Sequence, residues 1–359
     1  MKDIAKLVGL FAIACVGTAP DEPITPTYGA NAFAYEAMGF DEMLADGLTG
    51  SGVSVCVVDT GIDDAHPAFA HVLDRDRLAW ADFTTEASPV PIDTNGHGTH
   101  VAGIIAMNES LTGGAPFMNL QIARVFTESG GTDNQTIANA VDWCREQEAD
   151  LISMSLGGLT LPAIDGLLNQ DASVSEAAVE RALDAGIYVI AAAGNTEITR
   201  DVATPANIPG VIAVGALNED VATKAPFSQS GLNDGIVVVA RTDPNKKPEV
   251  SAPGVTITSA MAAMSQIAND VDECQGTLYC PLNGTSQATP FVAAALALVL
   301  EAVPELQADQ AEAANPRDNV FAVKQALSQT AASLPMQDEP HDDGVGYGLM
   351  DTPRLLDRL

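Results

Sequence analysis

An α/β fold, a parallel β-sheet with helices on both faces, is predicted by three features of this 359-residue chain. Near-continuous apolar runs at 53–58, 151–156, 187–193, 211–215, 236–240 and 255–259 have the length and unbroken hydrophobicity of strands buried on both faces. Helical segments near 134–147, 175–185, 287–303 and 318–331 alternate with them, as crossover connections require. The residues capable of chemistry are scattered over almost the whole length, so they can meet only if the chain is one domain.

Taken in order, the run at 53–58 ends in Asp59-Thr60-Gly61, which places a carboxylate at the C-terminal end of a parallel strand. Open α/β sheets bind and react with ligands at that end. Next comes Asn95-Gly96-His97-Gly98-Thr99-His100, followed by small and apolar residues that read as a close-packed helix opening at His97. The run at 187–193 leads into Gly194-Asn195. Finally Asn283-Gly284-Thr285-Ser286 precedes a helix that is apolar all round and therefore buried. Pro290 falls early enough in that helix to be tolerated as a first-turn residue, where amides have no intrahelical partner.

An acid, an imidazole and a hydroxyl, each wrapped in glycine and small residues, are the parts of a nucleophilic hydrolase. Serine attacks only when a base takes its proton, and the imidazole needs a carboxylate to fix its tautomer and stabilise its charged form. Asp59, His97 and Ser286 are the candidates for those roles. Ser286 at a helix N-terminus sits where free amides and the dipole favour negative charge. Its own amide and the Asn195 side chain are the expected donors to an oxyanion.

The order Asp, His, Ser resembles that of subtilisin-like serine proteases, the subtilases, against His, Asp, Ser in chymotrypsin-like enzymes. Further blocks are similar in the same sequence: Ser153-Met154-Ser155-Leu156-Gly157, Phe227-Ser228-Gln229-Ser230-Gly231, Ser251-Ala252-Pro253-Gly254 and Gly346-Tyr347-Gly348. The resemblance implies a three-layer sandwich, a serine endopeptidase working through an acyl-enzyme, and no cofactor for the chemistry. It also implies a substrate-binding segment at Ser155, Leu156 and Gly157, with Ala192, Ala193 and Gly194 across the pocket. These walls are small and uncharged, so an apolar P1 residue is expected over Lys or Arg. Two alternatives stay open: a catalytically silent relative that binds peptides by β-pairing, and a dedicated processing protease.

Other features bound the reading. With 48 acidic and 16 basic residues the net charge is −32, which disfavours nucleic acid and anionic membranes as partners. The same surface suits a salty environment, where screening reduces self-repulsion, and is also found in acidic proteins at low salt. Residues 1–19 read as a signal peptide, with Lys2 and Lys6 ahead of an apolar core and Gly17-Thr18-Ala19 at the cleavage position. Residues 20–27 are then a short linker and 28–359 a single peptidase domain. The expected product is exported and monomeric, without a stable membrane span; lipidation at Cys15 and a cytoplasmic location are the alternatives. A folding-assisting propeptide, usual in exported subtilases, has little room ahead of Tyr28, leaving folding unaided, help in trans and an upstream start all open.

Cys274 and Cys280 could close a small disulfide ahead of Ser286, whereas Cys56 reads as a buried apolar residue and Cys144 as unpaired. His100 is expected to be structural, and His66, His71 and His341 to be exposed and without role. Structural calcium is compatible with the acidic composition, but its ligands are not assignable: Ala68 and the short segment 108–114 do not resemble the family's strong site.

The chain departs from the usual subtilase pattern at Gln287, where the family has Met, and at Phe291, where it has His. Gln287 offers no thioether to oxidise beside the nucleophile. Activity is therefore expected to survive mild peroxide that inactivates Met-bearing relatives; rapid inactivation with oxidation mapped by mass spectrometry to the neighbourhood of Ser286 would contradict this.

Overall fold

The computed structural model describes residues 24–157, 172–196, 201–234, 240–308, 315–335, 337–338 and 340–359. Its centre is a parallel seven-stranded sheet in the order β2-β3-β1-β4-β5-β6-β7. The strands are β1 (Ser54–Asp59), β2 (Leu78–Asp82), β3 (Asn119–Arg124), β4 (Leu151–Met154), β5 (Tyr188–Ala192), β6 (Ile212–Leu217) and β7 (Val250–Pro253). Strands β4 to β7 are buried throughout, which is why their sequences show no polar alternation.

The chain builds outward from β1 in both directions: β3 pairs with one edge of it and β4 with the other. That reversal opens a crevice at the C-terminal end of β1, where Asp59 sits. Side chains alternate along β1, so Asp59 and Val57 face one side and Cys56 and Val58 the other. On the Asp59 side, helix α4 (His97–Ala106) packs against α8 (Thr285–Ala302), with α8 also lying along β4 to β7. On the Cys56 side, α5 (Asn134–Glu146) and α6 (Ala172–Asp184) pack together and against β1, β3 and β5.

The remaining α-helices among the described residues are α1 (Ala32–Ala37), α2 (Phe40–Ala45), α3 (Ala70–Asp74), α7 (Gln266–Asp270), α9 (Arg317–Thr330) and α10 (Thr352–Arg358). The main hydrophobic core draws on residues from Tyr28 to Leu355, and a small separate cluster is formed by Met261, Ala268, Cys274 and Cys280. Helix α8 is long and apolar enough to cross a membrane, but here it is the buried core helix of that face.

Two departures from the expected strand pattern have physical causes. The run at 255–259 is not a strand of the parallel sheet: β8 (Ile257–Ala260) pairs antiparallel with β9 (Tyr279–Leu282) in a separate two-stranded sheet. Strands β2 and β3 escaped the pattern because β2 is a half-buried edge and β3 carries Asn119, Gln121 and Arg124. Arg124 is nonetheless buried, its charge met by Asp82 of β2 at 2.8 Å. Most of the run expected at 236–240 lies outside the described residues.

Cys56 and Cys144 are not unpaired. They form a disulfide, with Cα atoms 5.9 Å apart, that ties β1 to α5 on the face away from Asp59. Cys144 lies on the buried side of α5, so the helix presents it to the strand. Pro290 likewise lies beyond the first turn of α8, at its sixth residue. Its missing amide is the one that would have bonded Ser286 O, and that carbonyl instead accepts the Ser155 hydroxyl at 2.8 Å.

A charged cluster is enclosed beneath β6 and β7. Lys247 Nζ and Lys324 Nζ lie 2.9 and 2.7 Å from Glu249 Oε1, with all three side chains at most 1% exposed. Lys247 also donates to Val211 O at 2.6 Å, and Lys324 to Pro209 O. Burial pushes the Lys247 amine down to about 7, with the Glu249 charge opposing the shift. An unfolded lysine keeps its proton up to about 10.4. Between these values the unfolded state binds more protons, so stability rises with pH across this window. Denaturant titrations from pH 7 to 9 are expected to show the wild type gaining stability relative to Lys247→Met; a pH-independent gap would contradict it.

Candidate active site

The turn after β1 delivers Asp59 with its side chain fully buried. Its Oδ1 accepts the Thr60 amide at 2.7 Å and the His97 Nδ1–H at 2.8 Å. Oδ2 is also buried and meets no hydrogen-bond donor among the described residues. His97 is the first residue of α4, preceded by Gly96 in the left-handed region at φ 99°. The start of α4 lies against the Asp59 turn so closely that a Cβ at Gly98 would come within 2.3 Å of Gly61 O. Glycine at 98 is therefore required for the imidazole to reach the carboxylate.

That hydrogen bond fixes the proton on Nδ1 and leaves the Nε2 lone pair as the base. The imidazole is 24% exposed, so its outer nitrogen is accessible. Burial opposes the charged ring, but the charge and hydrogen bond of Asp59, with a contribution from Asp93, outweigh it and raise the His97 pKa above 6.5.

Ser286 is the second residue of α8. Its hydroxyl donates to Ser155 O at 3.1 Å rather than to His97, while Ser155 Oγ donates back to Ser286 O. Ser286 and the segment that follows β4 are thus locked together. Asn195 follows β5 after Gly194, whose φ is 110° and where a Cβ would lie 2.0 Å from Gln229 Oε1. Asn195 Oδ1 accepts the amide and hydroxyl of Thr285 at 2.8 and 2.9 Å. A backbone amide can only donate, so the oxygen must face Thr285. The Asn195 NH2 is then left without an acceptor among the described residues.

These groups surround a cavity of about 220 Å³ lined by Ser155, Leu156, Gly157, Ala192, Gly194, Asn195, Thr285 and Ser286, with Thr196, Ala203 and Gln229 completing it. Among the described residues no charged side chain lines it. Ala193 does not: it is fully buried, and its amide bonds Val214 O in the sheet. A second cavity of about 250 Å³ lies across Leu156 and Gly157, walled by Phe126, Ile137, Met154 and Val179 among others. No local pattern announces it, because its walls come from β4, α5 and α6, from the segment after β3 and from Thr204 and Pro205.

His100, one turn into α4, is buried and donates from Nε2 toward Ile257 O and Cys280 O. Burial takes its pKa down to about 3, so it is neutral and structural. His66, His71 and His341 are not exposed as the polarity of their segments suggested. His66 is 3% exposed and bridges Ala68 N and Leu278 O, His71 bonds Pro116 O, and His341 bonds Pro248 O. Cys274 and Cys280 are joined, with Cα atoms 4.9 Å apart, in the excursion between β8 and β9. Among the described residues no group of three or more His, Cys, Asp or Glu side chains is placed to hold a metal ion.

The hydrogen bond to Asp59 has a direct spectroscopic consequence. In an NMR titration of the five histidines, the His97 ring is expected to titrate above 6.5, and Asp59→Asn to bring it below that value because burial remains while the charge is lost. A His97 pKa unaffected by Asp59→Asn would contradict the coupling.

Residues 50–348 match the model of the subtilase family. The chain is 33% identical to subtilisin DY of Bacillus licheniformis over 82% of its own length and 89% of that protein. It is 35% identical to a subtilisin of Bacillus pumilus, over 72% of this chain and 81% of the relative. The serine protease AprX of Bacillus subtilis is also 35% identical, over 77% of this chain, though the match spans only 64% of AprX. The fold, with its seven-stranded parallel sheet, is the one this family implies, and the chain belongs to the subtilase family of serine endopeptidases.

Proposed function

We propose that this endopeptidase works through Asp59, His97 and Ser286, with Asn195 and the Ser286 amide as its oxyanion donors. The observation that carries the reading is the 2.8 Å bond between His97 Nδ1 and a fully buried Asp59, at the same end of the sheet as Ser286. In the proposed cycle Ser286 Oγ leaves Ser155 O, passes its proton to His97 Nε2 and attacks the scissile carbonyl. Asp59 stabilises the imidazolium, and the free Asn195 amide meets the developing oxyanion. His97 returns the proton to the leaving amine, and water then hydrolyses the acyl-enzyme by the same steps in reverse order.

The peptide lies along Ser155, Leu156 and Gly157, its P1 side chain in the 220 Å³ cavity. Uncharged walls favour Phe, Leu or Met there, since Lys or Arg would be desolvated without a counter-ion. Two disulfides suit an oxidising compartment and support export of a single peptidase domain spanning 28–359. Calcium, if bound, would serve stability rather than chemistry.

The bond from Ser286 to Ser155 O favours a second reading, a silent relative that binds peptides without cutting them. Apo hydrogen bonds in active sites often tighten only when substrate arrives, so this contact does not outweigh the first reading. A fluorophosphonate probe separates the two. It is expected to label the wild type and not Ser286→Ala, and Asn195→Ala is expected to lose about 10²–10³ in kcat, the size seen for the comparable Asn of subtilisin. A P1 library should favour Phe, Leu or Met. An unlabelled wild type would overturn catalysis, and a basic P1 optimum would overturn the pocket assignment.

A further inference from the structure

Asp93 stands in the loop ahead of α4, 7% exposed, and forms no ion pair among the described residues. Backbone and hydroxyl donors surround it instead. Oδ1 accepts the Thr60 hydroxyl at 2.9 Å and the amides of Asn95 and Gly96 at 3.1 and 2.8 Å. Oδ2 accepts the Thr99 amide at 2.8 Å and the Thr99 hydroxyl at 2.6 Å. Having given its proton to Asp93, the Thr60 hydroxyl accepts the Gly98 amide at 2.8 Å. One carboxylate therefore ties the residue after Asp59 to the residues on both sides of His97.

We propose that Asp93 is a positioning residue for the Asp59–His97 pair: it clamps the β1 turn to the start of α4, and its charge adds to that of Asp59 when the imidazolium forms. The inference rests on the triad reading given above. Asp93 touches no reacting atom; it acts through Thr60, through the backbone amides of Asn95, Gly96 and Thr99 on either side of His97, and through its charge. Asparagine cannot reproduce the clamp, because either orientation of its amide turns an NH2 toward backbone amides, those of Asn95 and Gly96 or that of Thr99. A valine at 60 would break the bridge while leaving the Asp93 charge in place.

These two variants separate geometry from charge. The groups bearing on the His97 ring are Asp59, Asp93 and His100, and His100 stays neutral, so the acid limb of kcat/KM reports the two carboxylates. Kinetics on a peptide anilide across pH, normalised to phosphonate-titrated active sites, test the idea. Asp93→Asn is expected to lower kcat by about 10–100-fold with KM held within about twofold. It should also move the acid limb to lower pH, because the imidazolium loses a stabilising charge. Thr60→Val should lower kcat and leave the limb in place. A wild-type kcat and limb in Asp93→Asn, or a loss accounted for entirely by fewer titratable sites, would overturn the clamp while leaving the triad intact. A wild type that does not label at Ser286 would instead overturn the triad reading, and the clamp with it.

Discussion

A carboxylate with no access to water is unfavourable unless donors or an opposite charge compensate it. Asp59 has the Thr60 amide and the His97 ring on one oxygen, and no hydrogen-bond partner on the other among the described residues. In the proposed cycle, proton transfer to His97 would create the positive charge that this site otherwise lacks. The architecture secures the arrangement at each level. A central strand carries Asp59 to the reversal point of the sheet, glycine at 98 lets α4 approach the turn, and α4 packs against the helix that begins at Ser286.

The second half of the site is held by a different set of bonds with the same logic. Pro290 leaves Ser286 O without its helical amide, and Ser155 Oγ takes that place, coupling the nucleophile's backbone to the wall of the cavity. Thr285 engages the oxygen of Asn195, a residue of the cavity wall, and so leaves its NH2 free of that contact. On the far side of the sheet, the Cys56–Cys144 disulfide anchors the strand that carries Asp59. The residues of the proposed site are thus held from both faces of β1.

Much of this was legible in the residues themselves, because buried parallel strands and a glycine-wrapped acid, base and hydroxyl leave strong local patterns. The strands β1, β4, β5 and β6 and the helices α5, α6, α8 and α9 follow the apolar runs and helical segments closely. What stayed hidden depends on partners distant in sequence. Arg124 breaks the apolar pattern of β3 and is explained only by Asp82 on its neighbour. Cys56 and Cys144 stand 88 residues apart, and the pairing of β8 with β9 is non-local. Asp93 looks like a loop carboxylate until its donors are assembled around it, and Ala193 looks like a pocket residue until β5 turns it inward.

The proposed mechanism brings Ser286, His97 and Asn195 together on one reacting carbon, although Ser286 rests on Ser155 O in the free protein. A crystal structure of the chain bound to a peptide boronic acid, a mimic of the tetrahedral intermediate, tests this most directly. The expected structure has boron bonded to Ser286 Oγ, one boronate oxygen within hydrogen-bond distance of both Asn195 Nδ2 and the Ser286 amide, and His97 Nε2 facing the adduct with its bond to Asp59 intact. An adduct on another residue, or one whose oxygens turn away from Asn195 while Ser286 stays bonded to Ser155, would contradict it.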